Sequence, residues 1–227
     1  MDFTTHQIAK MIDHSLLNPT LTESDLETGC RLALRYDVAS VCIMPYYLRR
    51  CADILAGSNV RASTTIGFPH GGHTTAIKVA EAEQALRDGG EELDMVVNIS
   101  KVLSGDWDYV RADIGAVIGV VHARGQKVKV IFENCYLTDA QKIRLCEICG
   151  ELNADWVKTS TGYGTGGATH EDLKLMCLHS PAHVQVKAAG GVRTLVALLA
   201  VRELGVTRCG ATRTAEILDE CKRRLGG

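Results

Sequence analysis

The sequence predicts an α/β fold, a single (β/α)8 barrel of the TIM-barrel type, and three observations favour it. Short β-branched segments alternate with amphipathic helical segments, which is typical of a parallel sheet. Eight strand segments can be distinguished, the number that closes such a barrel. The 227 residues contain no proline- or serine-rich linker, so we expect one domain over residues 1–227. A doubly wound open sheet would give a similar alternation and stays an alternative.

The predicted strands are spread along the whole chain. In order they are Met11–Leu17, Ser40–Met44, Arg61–Ile66, Glu92–Asn98, Lys127–Glu133, Asp155–Thr159, His183–Lys187 and Thr207–Gly210. The predicted helical segments are Leu26–Tyr36, Ala76–Asp88, Tyr109–His122, Ala140–Gly150, Leu173–Leu178, Thr194–Leu204 and Glu216–Arg224. Two threonines, Thr22 and Thr169, are each followed three residues later by an aspartate, a spacing that predicts capping boxes at helix starts.

Composition narrows the class of partner. The chain has 25 lysines and arginines against 27 aspartates and glutamates, a formal net charge of -2, so we expect binding to neither nucleic acid nor an anionic membrane. No apolar run is long enough to span a bilayer. The nine cysteines are an odd number without a disulfide-framework pattern, which favours reduced thiols and a cytoplasmic location.

Polar residues occupy one face of several predicted strands. Polar and apolar side chains alternate in Glu92–Asn98, in Lys127–Glu133 and in His183–Lys187. In a closed barrel the apolar set would face the helices and the polar set the interior. Charged groups in a barrel interior are costly unless they are paired, so this pattern indicates a functional site. Exposed strands of an antiparallel sheet are the alternative, and the intervening helical segments disfavour it.

Three polar residues of the predicted strands are candidate catalytic groups: Lys158 in Asp155–Thr159, Lys187 in His183–Lys187 and Asp94 in Glu92–Asn98. Lys158 and Lys187 end consecutive strands, and the active sites of parallel α/β folds lie at that end. Strands about 4.8 Å apart would bring the two amines close, so that one loses its proton more readily and becomes a Schiff-base nucleophile. Asp94 would pair with one lysine and move protons. A buried structural ion pair is the alternative, but two lysines and an aspartate at matching positions favour catalysis.

Small-residue loops follow the last two predicted strands. Gly190 and Gly191 follow the seventh strand, and Gly210–Arg213 follows the eighth. Loops at these positions often hold phosphate through backbone N–H groups, and Arg213 would add a forked cation. Ordinary tight turns, which also favour glycine, are the alternative.

Three other motifs are weaker than they look. Gly162–Gly167 fits a dinucleotide-binding pattern, but the next strand ends in Lys187 where an acidic residue would be needed. Cys146–Cys149 lies within a predicted helix, which favours core packing over a redox pair. His70–His73 lacks further ligands at useful spacing. We therefore expect neither a dinucleotide nor a metal.

Six segments, in order along nearly the whole chain, resemble the motifs of deoxyribose-phosphate aldolases. They are Ile12–Leu17, Val41–Ile43, Ile66–Pro69, Glu92–Asn98, Val157–Gly162 and Val186–Arg193. The resemblance implies a (β/α)8 barrel and a class I aldolase that interconverts 2-deoxy-D-ribose 5-phosphate with D-glyceraldehyde 3-phosphate and acetaldehyde. It also implies a homo-oligomer, and no metal or cofactor, because a protonated Schiff base accepts the electrons of the broken bond.

The resemblance assigns a role to each matching residue. Lys158 would form the Schiff base, while Lys187 would tune it and share proton transfer with Asp94. The residues implied at the sugar are Asp13, Ser15, Cys42 and Thr161. The residues implied at the phosphate are Gly162, Gly190, Gly191, Thr212 and Arg213.

The sequence departs from the family pattern at a few of these positions. Thr212 and Arg213 stand where two serines, or a serine and an arginine, are usual. Asn18 replaces a frequent lysine and Ser15 a frequent threonine. These departures concern phosphate affinity and substrate range, and they leave the three catalytic candidates untouched. Two other interpretations stay open: a sugar-phosphate isomerase that uses Asp94 as its base, and a catalytically silent sugar-phosphate sensor.

Overall fold

The protein is a closed barrel of eight parallel strands, β1 to β8 in sequence order. A computed structural model describes residues 3–225. The strands are β1 Ile12–Leu16, β2 Ser40–Ile43, β3 Arg61–Ile66, β4 Glu92–Val96, β5 Lys127–Ile131, β6 Trp156–Lys158, β7 Gln185–Ala188 and β8 Arg208–Ala211. Because β1 pairs with β8, the sheet is closed and the open doubly wound alternative is wrong. The prediction of a (β/α)8 barrel is confirmed; the outermost two residues at each end of the predicted domain 1–227 lie outside the described residues.

Ten helices are described. They are α1 Thr5–Ala9, α2 Glu23–Tyr36, α3 Leu48–Leu55, α4 Thr75–Arg87, α5 Ile99–Leu103, α6 Trp107–His122, α7 Asp139–Glu151, α8 His170–His179, α9 Leu195–Glu203 and α10 Thr214–Arg224. All seven predicted helical segments are confirmed, but α1, α3 and α5 were not predicted. Helix α3 completes the alternation between β2 and β3, and its two turns give only a brief apolar pattern, the buried Leu48, Cys51 and Leu55.

One predicted capping box is complete and the other is half formed. At α2, the Thr22 hydroxyl accepts from the Asp25 backbone, and the Asp25 carboxylate accepts in return from the Thr22 backbone. At α8, Thr169 accepts from the Asp172 backbone at 3.1 Å. The Asp172 carboxylate instead accepts from Lys142 Nζ at 2.6 Å, so a neighbouring lysine competes successfully for the second half of the box.

The apolar core lies between the outer face of the sheet and the helices. Strand residues such as Leu93, Val130, Val157 and Val186 belong to it and are buried. Each such side chain stabilises the fold by about 1.5–3 kcal/mol relative to full exposure. The predicted alternation of apolar and polar faces is therefore the packing pattern of the barrel.

The inner face of the sheet carries paired charges, with two exceptions to the prediction. Lys127 begins β5 with an exposed side chain beside Asp155, and His183 precedes β7 and is also exposed. Both residues alternate in register with the inward-facing polar residues of their strands. They lie at the amino-terminal end of the barrel, however, where side chains reach solvent. None of the helices within residues 3–225 has the length and apolar character to cross a bilayer.

Candidate active site

The three predicted catalytic residues meet inside the barrel. Lys158, the last residue of β6, is in register with Lys187 on β7. Asp94 on β4 accepts from both amines through one oxygen: Oδ2 lies 2.8 Å from Lys158 Nζ and 2.8 Å from Lys187 Nζ. All three side chains are buried. Two ammonium groups therefore compete for one carboxylate oxygen in a shielded space.

The two lysines differ in their second neighbour. Lys187 Nζ also lies 2.5 Å from Oδ2 of Asp13 on β1. Burial opposes charge on Lys187, but Asp13 and then Asp94 raise its pKa above the usual value. Burial lowers the pKa of Lys158, Asp94 works against that shift, and the Lys187 ammonium adds to it. Lys158 is thus the amine that more readily becomes neutral, and Lys187 the one that stays charged.

Both carboxylates stay ionised. Burial alone would raise the pKa of Asp94, but Lys129, Lys158 and Lys187 together lower it. Against the same effect of burial, Arg208, Lys129 and Lys187 hold the pKa of Asp13 well below its ordinary value. The Ser40 hydroxyl donates to Asp13 Oδ1 at 2.6 Å and fixes its orientation.

A second layer of charges below this centre was not predicted as part of the site. Lys129 Nζ lies 2.9 Å from Asp94 Oδ1 and 2.6 Å from Glu92 Oε2. Arg208 Nη1 lies 2.6 Å from Asp13 Oδ1 and 2.9 Å from Glu92 Oε2. The alternation within their strands predicted that Lys129 and Glu92 face the barrel interior. The sequence predicted neither the residues that they contact nor the presence of Arg208 in this layer. This layer fixes the unshared oxygens of both aspartates.

A cavity of about 470 Å³ opens above the two amines. Ten predicted residues line it: Asp13, Ser15, Cys42, Lys158, Thr161, Gly162, Lys187, Gly190, Gly191 and Thr212. Asp94 lies beneath the cavity and holds the amines. Arg213 does not line the cavity, and its side chain is exposed at the N-terminus of α10. The arginine in the wall is Arg193, two residues after the glycine pair, a position that could have identified it.

The loops after β6 and β7 need glycine. Gly162, Gly190 and Gly191 have φ angles of +91°, +79° and +100°, the left-handed region that other residues avoid. The Ala168 N–H donates to the Gly190 carbonyl at 3.0 Å, and a Cβ on Gly190 would lie 2.8 Å from the Gly167 Cα. The two loops therefore pack backbone to backbone at the cavity edge.

One of the cysteines, Cys42, lies in the cavity wall. Burial raises the pKa of the Cys42 thiol in the cavity wall. Cys146 and Cys149 are buried within α7, as core packing predicts, and all nine cysteines are free thiols. In the part of the chain that the structure describes, no group of three or more His, Cys, Asp or Glu side chains is arranged to hold a metal ion.

Comparison with known proteins places this chain among aldolases. The DeoC/LacD family aldolase profile matches residues 7–207. The chain is 70% identical over 225 residues to the deoxyribose-phosphate aldolase of Rhodopirellula baltica, covering 99% of this chain and 93% of that protein. It is 46% identical over 214 residues to the deoxyribose-phosphate aldolase of Thermococcus gammatolerans, covering 93% and 95%.

A solved structure agrees with the sequence relatives. The deoxyribose phosphate aldolase of Aeropyrum pernix, described as a unique tetramer, superposes with a TM-score of 0.89 at 27% identity, over 96% of this chain and 92% of that chain. Family profile, sequence relatives and fold all lead to the same group. The chain belongs to the DeoC/LacD family of aldolases.

Proposed function

We propose that this protein is a class I aldolase that reversibly cleaves 2-deoxy-D-ribose 5-phosphate to D-glyceraldehyde 3-phosphate and acetaldehyde. The observation that carries the proposal is the unequal pair of lysines around Asp94, with Lys158 easier to deprotonate than Lys187 and both amines in the cavity wall. The substrate is supported by the names of the relatives that the chain resembles over nearly its whole length.

Lys158 is the nucleophile. Its neutral amine attacks the C1 aldehyde of the open-chain sugar, and loss of water leaves a protonated Schiff base. A free lysine has a pKa near 10.4, so each unit by which burial lowers it makes the neutral amine about tenfold more abundant near pH 7.

Carbon–carbon cleavage follows from the iminium. The C3 hydroxyl gives its proton to a base or a relayed water, the C2–C3 bond breaks, and the electron pair moves into the iminium to give an enamine and glyceraldehyde 3-phosphate. Protonation of the enamine at C2 and hydrolysis release acetaldehyde and regenerate the amine of Lys158. Lys187, held charged between Asp13 and Asp94, is the proton donor to the enamine, and Asp94 stabilises the cationic nitrogen.

The remaining residues bind the two ends of the sugar. Asp13, Ser15, Cys42 and Thr161 surround the chain of the sugar near the lysines. The backbone of Gly162, Gly190 and Gly191 receives the phosphate together with Thr212, and Arg193 in the cavity wall adds charge there. Arg213, one residue beyond the wall, contributes positive potential at the α10 N-terminus and not a lining contact.

The wider setting is part of the same proposal. The protein works as a homo-oligomer, supported by the tetramer described for the Aeropyrum pernix relative. A cytoplasmic location is supported by the nine free thiols, which a reducing compartment preserves. Its partners are the small sugar phosphate and aldehydes, without nucleic acid, membrane, metal or cofactor.

Borohydride trapping tests the covalent mechanism. The protein is incubated with 2-deoxyribose 5-phosphate, reduced, and mapped by peptide mass spectrometry, with chelator present throughout. We expect one adduct, on Lys158. An adduct on Lys187 alone would reverse the roles of the two lysines, and no adduct with unchanged sugar would favour the silent sensor. No adduct together with an isomerised sugar would favour the isomerase.

A further inference from the structure

Tyr163 crosses the mouth of the barrel. It lies in the loop after β6, and its hydroxyl donates at 2.6 Å to the carbonyl of Leu17, the first residue after β1. Strands β6 and β1 are separated by two strands in the closed sheet, so this bond spans the opening. The ring packs edge-on against Phe68 in the loop after β3, with 5.5 Å between ring centroids. One side chain thus joins three loops around the mouth.

Hydrogen bonds also hold the backbone of Tyr163. The Tyr163 N–H donates to Thr161 Oγ1 at 2.9 Å. The Thr161 backbone donates to Glu133 Oε1 at 3.1 Å, and the Thr161 hydroxyl donates to the other oxygen of the same carboxylate. Glu133 is buried and has a φ of +59°, a conformation that costs a residue with a side chain about 1–2 kcal/mol. Strain of this kind persists where the surroundings enforce it, often at functional sites.

Tyr163 separates two spaces above the barrel. On one side lies the catalytic cavity, which includes Lys158 and the loops after β7 and β8. On the other side lies a groove of about 550 Å³ formed by the loops after β3, β4, β5 and β6. Tyr163 is a wall of both, and the groove has exposed apolar side chains, notably Leu103 and Tyr136.

We propose that Tyr163 determines the substrate range of this enzyme by shutting the apolar groove off from the amine of Lys158. The inference rests on the proposed aldolase function and concerns the acceptor aldehyde. In the synthetic direction the Lys158 enamine of acetaldehyde attacks an acceptor carbonyl carbon, a C–C bond forms, and the enamine becomes an iminium. The new alkoxide takes a proton from water, and hydrolysis of the iminium releases the product and regenerates the Lys158 amine. While Tyr163 is hydrogen-bonded to Leu17, the apolar chain of a long acceptor cannot extend from the carbonyl carbon into the groove. Small and phosphorylated acceptors fit the catalytic cavity.

The test compares acceptor chain length. Acetaldehyde is the donor, and kcat/KM is measured for hexanal and for propanal as acceptors, in wild type, Tyr163→Ala and Tyr163→Phe. Each methylene that enters an apolar groove gains roughly fourfold, about 0.8 kcal/mol. We expect the hexanal-to-propanal ratio to rise at least about tenfold in Tyr163→Ala. Tyr163→Phe, which loses only the bond to Leu17, should give a smaller rise, roughly threefold to fivefold, for a hydrogen bond worth about 1 kcal/mol.

Two further variants test whether the longer alkyl chain of hexanal enters the groove. Tyr136→Ala removes an exposed aromatic from the groove but leaves the partition standing, so its ratio should stay at the wild-type value. Adding Leu103→Asp to Tyr163→Ala puts a charge in the groove and should cancel the gain. An unchanged ratio in both Tyr163 variants overturns the proposal, as does a gain that survives Leu103→Asp or appears equally in Tyr136→Ala.

Failure of this inference is distinguishable from failure of the proposed function. Cleavage of 2-deoxyribose 5-phosphate by wild type, with an adduct on Lys158, upholds the function whatever the chain-length ratio shows. If wild type neither cleaves 2-deoxyribose 5-phosphate nor forms an adduct on Lys158, the proposed function is overturned, and this inference is overturned with it. Tyr163→Phe keeps the ring and its packing on Phe68. If Tyr163→Ala fails to fold, the hexanal-to-propanal ratio of Tyr163→Phe still tests the inference.

Discussion

At the scale of single residues, the proposed chemistry depends on a difference in pKa between two lysines that share one carboxylate oxygen. Asp94 Oδ2 is 2.8 Å from each amine, so it does not distinguish them. Asp13 does, because it contacts Lys187 and keeps that amine protonated in the resting enzyme. The Lys187 charge then helps burial to lower the pKa of Lys158.

We predict that Lys158→Ala abolishes aldol turnover and that Lys187→Ala reduces it by about 10³-fold, because one removes the proposed nucleophile and the other the proposed proton donor to the enamine. In Lys187→Ala the repulsion on Lys158 disappears, so its pKa rises and the acidic limb of the kcat/KM profile, along which the neutral amine forms, moves to higher pH. Steady-state kinetics across pH measure both effects. The control is Lys174→Ala, an exposed lysine on α8, which should behave as wild type. A limb that stays in place in Lys187→Ala would contradict the electrostatic coupling.

At the scale of elements, the loops after β6 and β7 depend on backbone shape. Gly190 combines a positive φ with close contact to the backbone of the other loop, and it lies in the cavity wall. Gly57, in the turn after α3, has a φ of +76° against +79° for Gly190, but a Cβ there would meet nothing within 4 Å. Gly57 is therefore a control position: an alanine there would have the same left-handed backbone strain as one at position 190, but it would displace no neighbouring loop.

We predict that Gly190→Ala raises the KM for 2-deoxyribose 5-phosphate about tenfold or more, because the added Cβ pushes the loops apart and moves the proposed phosphate-binding backbone. Gly57→Ala should lower the free energy of unfolding by about 1 kcal/mol, the cost of the left-handed conformation, without changing KM. Kinetics and urea denaturation of both variants separate the two effects. Equal KM values for Gly190→Ala and wild type would mean that this loop does not receive the substrate.

At the scale of the whole molecule, closure of the barrel joins the two ends of the chain. His14 on β1 and Thr214 on α10 lie 200 residues apart, and His14 Nδ1 is 2.8 Å from the Thr214 hydroxyl oxygen. Burial lowers the pKa of His14 to about 4. The histidine is therefore neutral in the folded protein at pH values where the unfolded chain binds a proton.

We predict that the free energy of unfolding falls as the pH drops from about 6.5 to about 4, because in that window the unfolded state binds more protons at His14 than the folded state. The full shift corresponds to about 3 kcal/mol. Below pH 4 the lowered pKa values of Asp13 and Asp94 add a further loss. Urea denaturation across pH gives the slope, and His14→Asn, which can keep a polar contact but does not titrate, should flatten it between pH 6.5 and 4. An unchanged slope in that variant would exclude His14 as the cause.

Periodicity within single strands and helices predicted eight alternating strand units, and the family resemblance added the closed barrel; periodicity also selected the central candidate residues of the site. A strand alternates with period two and ends at a definite residue, so the sequence alone assigned Lys158, Lys187 and Asp94 to the inner face near the carboxyl end of the barrel. The eight strands followed from the same alternation. Helix α3 did not, because two turns give too short a pattern.

What only the tertiary structure decided is which side chains meet across the closed barrel. Arg208 reaches Asp13 and Glu92, Arg193 takes the place in the wall that was predicted for Arg213, and Tyr163 reaches Leu17 across the mouth. Local patterning determines the face and the end of an element on which a residue lies. Contacts between residues more than a hundred positions apart arise only when the last strand pairs with the first, so no local pattern specifies them.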